Sequence, residues 1–108
     1  MTEKSDDGSS FCILVTSSPE SANSRTLAGL TEAAIEMGQR VQIFLMCDGV
    51  YHILQEDFLS LAKKGAEITL CSLNASQRGL ENRPGIRFGS QYDFAGMMAH
   101  SDSFIALT

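Results

Sequence analysis

Apolar residues in this chain fall into short dense runs, separated by stretches with a looser rhythm of three and four. Residues 11–16 form the first run, with Phe11, Cys12, Ile13, Leu14 and Val15 in succession. Residues 41–46 and 67–71 form the second and third. The first two predict strands buried on both faces, as in parallel sheets, and the third, mixed with Glu67 and Thr69, predicts a further strand. Residues 86–88 predict a short fourth strand and residues 103–107 a last one.

Between the runs the period changes. Leu27, Leu30, Ala34 and Met37 recur at helical spacing, which predicts a helix over residues 24–37 that Gly38 stops. Ile53, Phe58, Leu61 and Ala62 give the apolar side of a second helix over residues 53–64. Lys63 and Lys64 suit its negative end, and Gly65 stops it. Residues 72–80 predict a short helix or helical turn, and residues 90–99 a further amphipathic helix. Residues 1–10 have no periodic apolar pattern and are expected to be a disordered tail before one domain over residues 11–108.

Strands alternating with helices require crossover connections, hence an α/β fold with a parallel sheet covered on both faces. Ligands in such sheets bind beyond the carboxyl ends of the strands. Three loops meet that rule: residues 17–25, 47–52 and 71–79.

The chain has 108 residues, enough for one domain and its own core. The formal net charge of -5 argues against nucleic acid as the main partner, since phosphate contacts need a basic face. No apolar stretch is long enough to span a bilayer. The polar, acidic start lacks the pattern of a secretory signal, so a cytoplasmic location is expected. Cys12, Cys47 and Cys71 are three cysteines without a C-x-x-C pair. They encode no disulfide framework and no zinc knuckle, and in a reducing compartment they are expected to be free thiols.

Cys71 closes the third run and opens a helical turn. A thiol there has its thiolate favoured by the local dipole, and Arg78 is a candidate cationic neighbour. Such a thiolate attacks a sulfane sulfur or a disulfide. The competing reading is a buried structural cysteine. A cysteine-phosphatase loop needs C-x5-R; here the spacing is C-x6-R without an intervening glycine, which misplaces the guanidinium.

Cys47 lies at the end of the second strand and reads first as buried filler, second as another redox thiol. Cys12 reads as core. His52 is a candidate acid or base, with a surface or hydrogen-bonded structural role preferred. His100 complements the end of the last helix. The hydroxyl-rich loop at residues 16–25 can hold an anion, but it has no glycine, so a turn and helix start are preferred. A response regulator is excluded, because the first strand ends without acidic residues and the third ends in Cys.

Three segments together resemble the DsrE/DsrF-like family, which includes sulfur-relay, TusD-like proteins. The first is Ile13-Leu14-Val15-Thr16-Ser17-Ser18-Pro19. The second is Phe44-Leu45-Met46-Cys47-Asp48-Gly49-Val50-Tyr51. The third, and most specific, is Leu70-Cys71-Ser72-Leu73-Asn74-Ala75-Ser76-Gln77-Arg78-Gly79-Leu80. The resemblance implies a three-layer α/β/α domain with a five-stranded parallel sheet. It implies oligomers, commonly trimers or hexamers. It implies that Cys71 carries a persulfide between donor and acceptor proteins, with no metal or organic cofactor. Arg78 would give electrostatic support, and Asp48, Gly49, Asn74 and Gly79 would shape the site. Cys47 is outside the matched pattern; near Cys71, it would resolve a persulfide into a disulfide. Two alternatives stand beside the carrier. One is a non-catalytic oligomeric subunit or small-ligand-binding module of the same fold. The other is a flavodoxin-like nucleotide binder using residues 17–25.

Overall fold

The computed structural model describes residues 9–108. Most of the expected tail therefore lies outside the described residues. Within them the first strand starts earlier than its apolar run, at Ser10. Its backbone N–H donates to the Asp102 carboxylate at 2.8 Å, and its carbonyl accepts from the Asp102 N–H at 3.0 Å.

The strands are β1 (Ser10–Val15), β2 (Arg40–Leu45), β3 (Glu67–Cys71), β4 (Ile86–Gly89) and β5 (Ser103–Leu107). The α-helices are α1 (Asn23–Glu36), α2 (Glu56–Lys63), α3 (Ser72–Gln77) and α4 (Gln91–Ala99). A 3-10 helix, Cys47–Leu54, follows β2. It takes in Ile53, which periodicity alone had assigned to the next α-helix. All neighbouring strands pair in parallel, in the order β4-β3-β2-β1-β5. This is the α/β architecture with a five-stranded parallel sheet that the sequence implies.

The strand order decides which face each helix covers. The chain steps β1, β2, β3, β4 in one direction, so right-handed crossovers bring α1, α2 and α3 to one face. The return from β4 to β5 runs the other way and places α4 opposite. The buried core agrees. Ile13, Val15, Ile43, Leu45, Ile68 and Leu70 pack with Leu27 and Ala34 of α1, Phe58 and Leu61 of α2, and Ala75 of α3. The alternate strand residues face α4. There Phe44, itself fully buried, meets Phe94 at a ring-centroid distance of 5.1 Å, and Phe94 meets Phe104 at 6.1 Å.

The two outer layers are unequal. Helix α4 starts from a full capping box between Ser90 and Asp93, yet buries none of its residues. Tyr92 on that side is largely exposed, and Met98 and Phe104 partly so.

Candidate functional site

The carboxyl ends of β1, β2 and β3 form one rim, and the sequence-predicted residues gather there. The β2 backbone stays extended through Met46 and then turns sharply: Cys47 has φ +53°, in the left-handed region. The turn carries Cys47 out of the sheet, and it is exposed. Cys47 is thus not the buried filler that its apolar neighbours suggested. The run of buried side chains stops at Leu45, and the backbone reversal lifts the thiol into solvent.

Gly49 follows two residues later because nothing larger fits. A Cβ at this position would overlap the Val15 carbonyl of β1. The bare Gly49 backbone lets the 3-10 helix lie directly on the end of β1, with its N–H donating to the Met46 carbonyl at 2.9 Å.

Helix α3 closes the rim from the other side. Cys71 ends β3 and is the N-cap residue of α3, with extended backbone. Its side chain is buried, at 3 % exposure. The Cys47 N–H donates to the Asn74 Oδ1 at 2.8 Å. Arg78 donates from Nε to the Asp48 Oδ1 at 3.1 Å and from Nη1 to the Asn74 carbonyl at 3.1 Å. Its Nη2 lies 3.0 Å from the same Asp48 oxygen. Arg78 thus braces α3 against the 3-10 helix, and its hydrogen bonds go to Asp48 and Asn74 rather than to Cys71. Gly79, at φ +70°, takes the left-handed position that ends α3. The structure therefore joins Cys47, Asp48, Asn74 and Arg78 in one hydrogen-bonded cluster, with Gly49 and Gly79 shaping the backbone on either side.

The remaining candidates fall elsewhere. Cys12 is fully buried in β1, and burial pushes its thiol up to about 11. A neutral thiol there is inert. His52 is buried, and its Nε2 lies 3.0 Å from the Ser17 carbonyl, which assigns the proton to Nε2. Burial lowers its pKa below the ordinary value, against the opposing effects of the Ser17 carbonyl and Glu20. Of the two roles expected for it, His52 has the hydrogen-bonded structural one and not the surface one, because its ring is buried against the Ser17 carbonyl. It also lines a cleft of about 300 Å³ with Arg25, Gln55 and Phe58. His100 caps the end of α4, its Nδ1 2.8 Å from the Gly96 carbonyl. In the loop before α1, hydroxyl and amide groups bond to one another and to nearby backbone. The Ser21 Oγ accepts from the Asn23 N–H at 3.1 Å, and the Ser24 hydroxyl donates to the Pro19 carbonyl. These are turn contacts.

Among the described residues, no group of three or more His, Cys, Asp and Glu is placed to hold a metal ion. None of their helices is long and apolar enough to cross a membrane.

A parallel α/β sheet with a cysteine-bearing rim defines a class that sequence comparison makes specific. The chain belongs to the DsrE/DsrF-like family, whose model matches residues 9–107. The fold is shared with the solved structure of the ychN protein from E. coli, at 19 % identity and a TM-score of 0.75 over 92 % of this chain and 99 % of that one. It is shared too with BT1422, a conserved protein of unknown function from Bacteroides thetaiotaomicron. That likeness has 13 % identity and a TM-score of 0.77 over 94 % of this chain and 97 % of the other. No curated protein matches the chain.

Proposed function

We propose that this chain is an intracellular sulfur carrier of the relay type that takes a sulfane sulfur onto Cys71 and hands it to a partner protein. The observation that carries this reading is the position of Cys71 at the carboxyl end of β3, where α3 begins, beside the cluster of Asp48, Asn74 and Arg78. A thiolate at that point attacks the outer sulfur of a donor persulfide. The donor leaves as its thiolate and the sulfur stays on Cys71. An acceptor thiolate repeats the step in the forward direction. No electron leaves the thiol pool, so neither metal nor organic cofactor is required. Arg78, paired with Asp48, holds the rim together beside the strand that carries Cys71. Donor and acceptor are proteins in this reading, and the working form is a homo-oligomer, a trimer or hexamer.

Incubation with a persulfide donor, followed by peptide mass spectrometry, tests the proposal. The expected result is a gain of one sulfur atom on the Cys71 peptide. No gain, under conditions that load a known carrier, overturns it.

A second reading draws on the burial of Cys71. A thiol only 3 % exposed suits a non-catalytic subunit of the same fold, and the cleft beside His52 suits a small ligand. In that case Cys71 takes up no sulfur under any donor.

A further inference from the structure

Burial of Cys71 poses a chemical problem for a sulfur carrier. A donor persulfide on another protein has to bring its outer sulfur into line with the attacking thiolate, and a thiol at 3 % exposure offers little approach. The rim holds a second thiol with the opposite property. Cys47 is exposed, one strand away.

The register fixes how close the two backbones are. Leu45 of β2 pairs with Leu70 of β3. One step further sets Met46 beside Cys71, and Cys47 is the next residue. Neighbouring strands lie about 4.8 Å apart, so the turn that lifts Cys47 out of the sheet begins one strand spacing from Cys71. The two segments are also tied directly, since the Cys47 N–H donates to Asn74, three residues beyond Cys71. A persulfide extends a cysteine by one S–S bond, about 2 Å, which lengthens the reach of either side chain.

We infer that Cys47 is the docking thiol of the carrier and exchanges sulfur with partners on behalf of the sheltered Cys71; this rests on the sulfur-carrier reading given above. Two steps, each balanced, make the route. The Cys47 thiolate attacks the outer sulfur of the donor R–S–SH, forming the Cys47 S–S bond and breaking the donor's, and R–S⁻ leaves. The Cys71 thiolate then attacks the outer sulfur of the Cys47 persulfide. The new S–S bond forms on Cys71, the one on Cys47 breaks, and Cys47 leaves as thiolate. The proton on the transferred sulfur travels with it, and no outside oxidant or reductant enters. Run backwards, the same two steps unload the carrier. Shelter at Cys71 keeps the stored sulfur from stray thiols, and exposure at Cys47 gives partners their access.

The test uses glutathione persulfide as donor and peptide mass spectrometry as readout on the whole chain. Wild type is expected to accumulate the added sulfur on Cys71. In Cys47→Ser the loading of Cys71 is expected to slow at least tenfold. In Cys71→Ser the sulfur is expected to stall on Cys47. Wild-type protein with Cys47 alone blocked by iodoacetamide reads the first step again without a substitution, and the same tenfold loss is expected. Loading of Cys71 at the wild-type rate in both Cys47→Ser and the blocked protein overturns the docking role and leaves the carrier reading standing. A Cys71→Ser protein that takes no sulfur on Cys47 overturns it as well. Wild type with no sulfur on Cys71 removes the carrier reading itself, and the docking role with it.

Discussion

At the scale of single residues, the burial of His52 has a consequence for stability. Its folded pKa lies below the 6.5 of an ordinary histidine because burial disfavours the charged ring. Below about pH 6.5 the unfolded chain binds a proton that the folded chain resists, so the unfolded state gains. The stability is present in full above that pH and is lost as pH falls toward the lower folded value. Urea midpoints are expected to drop between about pH 7 and about pH 5, and the drop is expected to shrink in His52→Gln. A midpoint loss of equal size in both proteins would assign the effect to other groups. The sequence marked His52 as a candidate but said nothing of its burial, because its partner is the Ser17 carbonyl, 35 residues away in the chain. Cys47 was opaque for a different reason. Residues before it are apolar, so the pattern extended the buried run to include it. One positive φ reverses that, and a dihedral at a cysteine leaves no mark in hydrophobic periodicity.

Elements were far more legible than single side chains. β1, β2 and β3 are rich in apolar residues because both faces of the sheet are covered there, and such segments stand out against polar loops. The 3-10 helix was less visible, because its character comes from contact with β1 rather than from its own repeat. That contact makes a sharp prediction. Gly49→Ala drives a methyl group into the Val15 carbonyl, a backbone atom that cannot swing aside. The expected cost is about 3 kcal/mol, from overpacking at a backbone contact. Chemical denaturation measures it, and a loss below about 0.5 kcal/mol, the size of an ordinary surface change, would mean the rim relaxes freely. The same substitution is expected to loosen the hydrogen bond between Cys47 and Asn74, since Gly49 anchors the segment that carries Cys47.

For the whole molecule, the unequal layers matter most. Three helices cover one face of the sheet and α4 alone covers the other, with Tyr92 87 % exposed and Phe104 42 % exposed. Helical period in residues 90–99 shows which side chains share a side, but not how much of that side is covered. The proposed homo-oligomer fits a surface of this kind, since a second copy would bury apolar area that solvent now meets. Sedimentation is expected to give a trimer or hexamer, and Phe104→Asp is expected to shift the population toward monomer. A wild-type monomer at micromolar concentration would remove the oligomeric part of the reading.

The same strand order has a consequence during synthesis. β1 is made before β2 and finds it early, but its other neighbour, β5, is made after the other four described strands. Until residues 103–107 leave the ribosome, one edge of β1 carries unpaired N–H and C=O groups and apolar side chains. An open edge of that kind recruits strands from other chains. A chain that has made β1 to β4 but not β5 is therefore the form most open to aggregation, and truncation before residue 103 is expected to produce it.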